Sequence, residues 1–103
     1  MIEPKETDWK VYKKILPLVT GRFSERKLQF IAKYIQDSEL ASETRFWETK
    51  KKFKEIEKIL DSYSNYSRSK MHMNLLIMNR HNILEKEDLE MFSPELQEIL
   101  KNF

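Results

Sequence analysis

The chain predicts an all-α fold: a long helical hairpin with a small C-terminal helical head, acting as a dimer. Three observations carry the fold class. There is a single glycine in 103 residues, so the positive-φ positions that β-hairpins and phosphate loops require have almost no supplier. The long stretches are built from Lys, Glu, Leu, Gln and Met, which lose little rotamer freedom in a helix. Apolar residues recur three and four positions apart.

Composition narrows the class further. At 12.6 kDa the chain is the size of one domain, residues 1–103, with extended helices over about 6–62 and a compact head over about 67–103. A 40% apolar content argues against a disordered tail, and 35% charge argues against a membrane protein. The absence of cysteine removes disulfides, thiolate zinc sites and cysteine nucleophiles. The opening MIEPKETDWK lacks the apolar stretch of a signal peptide, so a cytoplasmic location is expected.

The first helix is expected to start near Glu6 or Thr7, with Trp9, Tyr12, Ile15 and Leu16 on one face. Pro17 and Gly21 are expected to break or kink it. A second helix is expected from Ser24 as N-cap, with Glu25 in its first turn and Leu28, Ile31 and Ile35 as its stripe; Phe30 and Tyr34 occupy a neighbouring row. It fades in the polar Asp37–Glu43 region. Ser42 can cap the next helix, where Phe46, Thr49, Phe53, Ile56, Leu60 and Tyr63 alternate three and four apart. That is a heptad seam, the mark of a helix laid along another.

The serine-rich stretch from Asp61 to Lys70 reads as a helix end and a connection, with a cap at Ser67 or Ser69. Met71–Met78 is apolar nearly all round, as expected of a helix buried on most sides. Asn82 suits the left-handed position that ends it, with Ile83 making the hydrophobic contact of a Schellman motif. A short helix is expected around Glu85–Met91. Ser93-Pro94-Glu95 then starts the last helix with an N-cap, a proline at the first position and an acid in the first turn.

Charge is unevenly placed. Residues 1–34 carry eight bases and four acids, residues 35–81 nine and seven, and residues 82–103 two and six. The acidic end can dock on the basic start, within or between chains, although solvated faces explain the same pattern.

No catalytic constellation assembles, and no enzyme, cofactor or metal is expected. His72 and His81 are the only histidines; His81 and Glu85 are four apart, but the break at Asn82 separates their faces. Glu55 with Glu57, and Glu85 with Glu87, are two apart and diverge on a helix. Lys50, Lys51, Lys52 and Lys54, with Lys10, Lys13, Lys14, Arg22, Arg26 and Lys27, could neutralise nucleic-acid phosphates, with Trp47 or Phe53 stacking on bases. Glu43, Glu48, Glu55, Glu57 and Asp61 on the same helix, and a net charge of only +2, favour a solvated face instead. Met71, Met73, Met78 and Met91 are expected in the core rather than in a docking groove. Ser62, Ser64, Ser67 and Ser69 are expected to cap and connect rather than to accept phosphate.

What remains is the aromatic seam. Phe46, Trp47, Phe53, Ile56 and Leu60 expose more apolar surface than one antiparallel helix covers, so they are expected to form a homodimer interface. An isologous contact of standard size, roughly 1,600 Å² in total, suits it.

From Trp47 onward the order of features resembles the fluorescence recovery protein family of cyanobacteria. The features are Trp47, Tyr66-Ser67-Arg68-Ser69, Met71–Met78, Asn82-Ile83-Leu84, Glu87-Asp88-Leu89 and Ser93-Pro94-Glu95-Leu96. Upstream, Phe23-Ser24-Glu25-Arg26 looks like that family's Tyr-Gln-Arg-Glu region. The resemblance implies a small all-helical dimer that binds the photoactivated orange carotenoid protein and speeds its return to the resting form. It implies that Trp47, Lys50, Lys51 and Glu57 occupy the partner-binding positions. Lys50, Lys51 and Glu57 stand where the family has His, Asp and Arg, so two of three positions reverse sign. Such reversals redirect partner choice, and the expectation is the same scaffold meeting a different protein client.

Overall fold

The computed structural model describes residues 3–63 and 65–102. Ser64, expected with the other serines to cap and connect, lies outside them. Its described residues form five α-helices and one 3-10 turn, with no strand among them, so the all-α expectation holds.

Helix α1 runs from Glu6 to Ile35 without interruption. The expected break at Pro17 and Gly21 does not occur. Tyr12, Ile15, Leu16, Val19 and Phe23 are all buried on one stripe that passes through the proline, and this burial outweighs one lost backbone hydrogen bond. Ser24 is consequently no N-cap. It lies mid-helix, its hydroxyl donating to the Thr20 carbonyl one turn back at 2.8 Å.

Residues 36–41 connect α1 to α2, which spans Ser42–Tyr63. Ser42 is the first helical residue rather than a cap, and its Oγ accepts from the Arg45 guanidinium at 3.3 Å. The same guanidinium donates to the Leu40 carbonyl at 3.1 Å and to the Ile35 carbonyl, stapling the connection shut. The two helices run antiparallel, with Thr20 bonded to Tyr63 across them at 2.9 Å.

A 3-10 turn, Arg68–Lys70, leads into α3, Met71–Arg80. Ser67 occupies the cap position of the turn, but its hydroxyl pairs with that of Ser69 at 3.1 Å instead of capping the backbone. Met71, Asn74, Leu75 and Met78 are buried, whereas Met73 is exposed. Helix α3 is thus buried on one side, not all round, because nothing packs outside it. It ends as expected: Asn82 has φ 58°, Ile83 N–H donates to Met78 O at 2.9 Å, and Asn82 N–H donates to Asn79 O at 3.2 Å. Those are the two bonds of a Schellman motif.

Helix α4 is a single turn, Lys86–Leu89, and α5 spans Pro94–Lys101. Ser93 caps α5, its Oγ accepting from Leu96 N–H at 3.4 Å. The head closes around Tyr12, Leu16, Phe23, Leu75, Phe92 and Leu96. The acidic end docks on the basic start within one chain: Lys5 pairs with Glu95 at 2.9 Å, and Arg22 with Asp88 at 2.6 Å and Glu85 at 3.2 Å. Along its longest axis the molecule extends 51 Å, against 24 and 22 Å across, because the far ends of α1 and α2 project beyond the head as a two-helix arm.

Candidate interaction surface

The arm owes its character to what its helices lack. Beyond Phe23, Ile31 is the one fully buried hydrophobic residue of α1. On α2, full burial comes at Tyr63, inside the head. Ile56, Ile59 and Leu60 are half-buried against the core. Phe46, Trp47 and Phe53 are 63%, 56% and 45% exposed. Leu28 and Ile35 of α1 are likewise open to solvent beside them, whereas the exposed Phe30 lies by Lys52, its ring centroid 6.0 Å from the Nζ. A contiguous apolar patch on a chain this small marks a surface built to be covered.

Two adjoining hollows shape that patch into a trough. One, of about 720 Å³, is lined by Ile35, Phe46, Thr49 and Phe53, with Arg45, Lys50, Lys54 and Glu57 on its edges. The second, of about 300 Å³, continues it toward the head along Leu28, Ile31, Ile56 and Leu60, with Lys27, Glu57 and Asp61 at the rim. Phe53 and Glu57 belong to both. In the floor, the Thr49 hydroxyl is shielded from solvent and has no hydrogen-bond partner, an arrangement that costs about 1–3 kcal/mol when left unsatisfied.

The structure distributes the residues singled out from the sequence unevenly. Phe46, Phe53, Ile56 and Leu60 line the trough, as do Lys50 and Glu57. Trp47 lines neither hollow and stands edge-on to Phe46, with ring centroids 5.0 Å apart. Lys50 lies over the Trp47 ring, its Nζ 5.5 Å from the centroid. Lys51 is exposed and lines neither hollow. Lys52 tucks under the arm on the opposite edge, its Nζ 4.4 Å from the Tyr34 centroid, so the lysine run does not form one continuous basic face.

The head contains polar joints the sequence reading missed. Asp8 is buried, and its carboxylate accepts from Ser93 N–H at 2.7 Å and Ser93 O–H at 2.6 Å. Because the Ser93 hydroxyl also caps α5, it is engaged as donor and acceptor at once, a joint between helices rather than a nucleophile. His72 borders the same 60 Å³ recess. Burial pushes its pKa below the ordinary value, an effect that the nearby Asp8 carboxylate partly opposes. Tyr12 Oη donates to Asn65 O at 2.8 Å and accepts from Asn74 at 3.0 Å. Burial raises its pKa, and that of Tyr63, above the ordinary phenol value. Among the described residues no group of three or more His, Asp or Glu side chains is placed to hold a metal ion, and no helix is long and apolar enough to cross a membrane.

Comparison with family models, with curated proteins and with solved structures returned no match.

Proposed function

We propose that this chain is a non-enzymatic protein-interaction module, a homodimer joined through the arm, that regulates a protein client. The observation that carries the reading is the uncovered trough: Phe46, Trp47 and Phe53 present large apolar area on a helix whose own chain leaves them bare. Exposed aromatics flanked by charge are the usual energetic centre of a protein interface. The order of features shared with the fluorescence recovery protein family supplies the client class, a carotenoid protein or a related domain. The exposed Trp47, packed edge-on against Phe46, is the residue through which dimer and client contacts would meet, with the exposed Lys51 setting partner choice electrostatically.

The test is optical and hydrodynamic together. An orange carotenoid protein is photoconverted to its red form, and dark recovery is followed with and without stoichiometric chain; acceleration is the expected result. Trp47→Ala is expected to weaken both the dimer and that acceleration. An unaltered recovery rate, with the protein folded and dimeric, would remove the carotenoid client and leave the interaction module. Nucleic-acid binding through Lys50–Lys54 has less support, because Lys50 and Lys52 are drawn onto the Trp47 and Tyr34 rings. It requires retention of duplex or single strands that falls steeply with salt.

A further inference from the structure

We infer that the trough of a single chain binds a free, single-chain anionic amphiphile, a medium-chain carboxylate. Its carboxylate end lies beside Lys50 and Lys54, and its tail runs between α1 and α2 toward the head. The inference uses only walls that one chain supplies and does not rest on the homodimer reading. Charge, lining and length carry it.

The rim changes sign along the trough. The hollow nearer the α1–α2 connection has Arg45, Lys50 and Lys54 against Glu57, and the hollow nearer the head has Lys27 against Glu57 and Asp61. None of Arg45, Lys50 and Lys54 forms an ion pair among the described residues. Arg45 donates to the Leu40 and Ile35 carbonyls and to the Ser42 hydroxyl, and Lys50 lies over the Trp47 ring; neither contact neutralises the cation. The first hollow therefore attracts an anion, and the second, where acids outnumber the base, repels another. A ligand with one negative charge and an uncharged tail satisfies both hollows in a single orientation.

Between the charges the walls are apolar. Ile35, Phe46 and Phe53 line the first hollow, and Leu28, Ile31, Ile56 and the half-buried Leu60 line the second. Phe53 belongs to both, so the apolar surface is continuous. The Thr49 hydroxyl is shielded and presents no polar atom to a tail. Volumes of about 720 and 300 Å³ fall in the range of small-molecule sites, roughly 300–1,000 Å³. From Lys50 to Leu60 along α2 is about 15 Å, the reach of an extended dodecanoate chain.

Trp47 and Lys51 line neither hollow, so they stay open to a client while the amphiphile is bound. A second copy on the arm draws on the same apolar walls, and the two occupants exclude each other.

The experiment is calorimetric titration of the full chain with dodecanoate below its micelle-forming concentration, with dodecyltrimethylammonium as the control that keeps the tail and reverses the charge. Saturable binding of one dodecanoate per chain is expected, with the cation at least about tenfold weaker. The Lys50→Glu/Lys54→Glu double variant is expected to raise the dissociation constant about tenfold or more, and Phe53→Glu to do the same by placing a carboxylate against the tail. All three side chains are exposed and outside the core cluster; circular dichroism confirms that the variants fold. Glu57→Gln removes the rim acid and is expected to bind dodecanoate at least as tightly as the wild type. Absence of saturable binding, equal affinity for the cation, or an affinity that both variants leave unchanged would overturn the site. Sedimentation without ligand separates this reading from the homodimer. A monomer that binds dodecanoate removes the homodimer and keeps the site, and a dimer that binds none removes the site and leaves the homodimer.

Discussion

Asp8 shows how much of the head depends on a single carboxylate. It is buried, and both its oxygens are taken by the N–H and O–H of Ser93, 85 residues away. Asp8→Ala strands the Ser93 N–H in a closed joint and loosens α5, so a loss of about 2–3 kcal/mol in urea unfolding is expected. An unchanged midpoint would show that water replaces the carboxylate at no cost. His72 makes the same corner sensitive to pH. Its pKa in the fold lies below the ordinary value, so the unfolded chain binds the proton more readily. Stability is therefore complete above the ordinary imidazole range and declines as pH falls through it. The urea midpoint is expected to drop between about pH 7 and about pH 5.5, and His72→Gln to shrink that drop. An equal drop in the variant would assign the effect elsewhere. The caps at Ser93 and Asn82 were legible in the sequence because cap chemistry acts over three to six neighbouring residues. The Asp8 joint was not legible: an acid near a helix start reads as a first-turn acid, and nothing local points to its distant partner.

At the scale of elements, α1 separates punctuation from periodicity. Pro17 and Gly21 are stop signals, yet the stripe Tyr12, Ile15, Leu16, Val19, Phe23 keeps its spacing of three and four straight through them. Continuing that count past the proline would have found the single 30-residue helix. A local stop signal costs a few kcal/mol, and burying Val19 and Phe23 on the same face offsets it. Gly21 therefore serves no turn. It sits in helical conformation, and a Cβ added there meets nothing within 4 Å. Gly21→Ala is expected to stabilise the fold by about 0.5–1 kcal/mol, through helix propensity and a less flexible unfolded chain. Thermal unfolding measures it, and a lowered melting temperature would mean that α1 needs its flexibility at this point. Arg22, next in the chain, ties α1 to α4 by donating to Asp88 at 2.6 Å and to the Ile83 carbonyl at 3.0 Å; the Asp88 carboxylate raises its pKa above the ordinary value. The sequence had offered Arg22 as a phosphate contact, and its neighbours make it an internal tie instead.

For the whole molecule, the two ends of the chain satisfy each other and the arm satisfies neither. Glu85, Asp88 and Glu95 are paired with Lys5 and Arg22, which leaves the lysine-bearing arm to present charge outward. The heptad seam that announced a helix laid along another is only half explained by α1. Its head-proximal half, Ile56, Leu60 and Tyr63, packs inward, while Phe46 and Phe53 face out. Sequence periodicity reveals that a face is apolar but is silent on which chain covers it, so the interior of the head was readable and the occupant of the trough was not. A two-helix arm with so few fully buried side chains is marginal by itself. A covering copy should therefore raise its stability by mass action, giving a melting temperature that climbs with protein concentration. Phe46→Glu tests the coupling. Phe46 is exposed and touches no core cluster, so in an isolated chain the substitution should change stability by less than about 0.5 kcal/mol. In a covered trough it buries a carboxylate in apolar surroundings and removes an anchor. The variant is expected to melt at a temperature independent of concentration, and its arm amides to lose their protection from hydrogen exchange while those of the head keep theirs. Protection lost equally from both would mean that arm and head unfold as one unit.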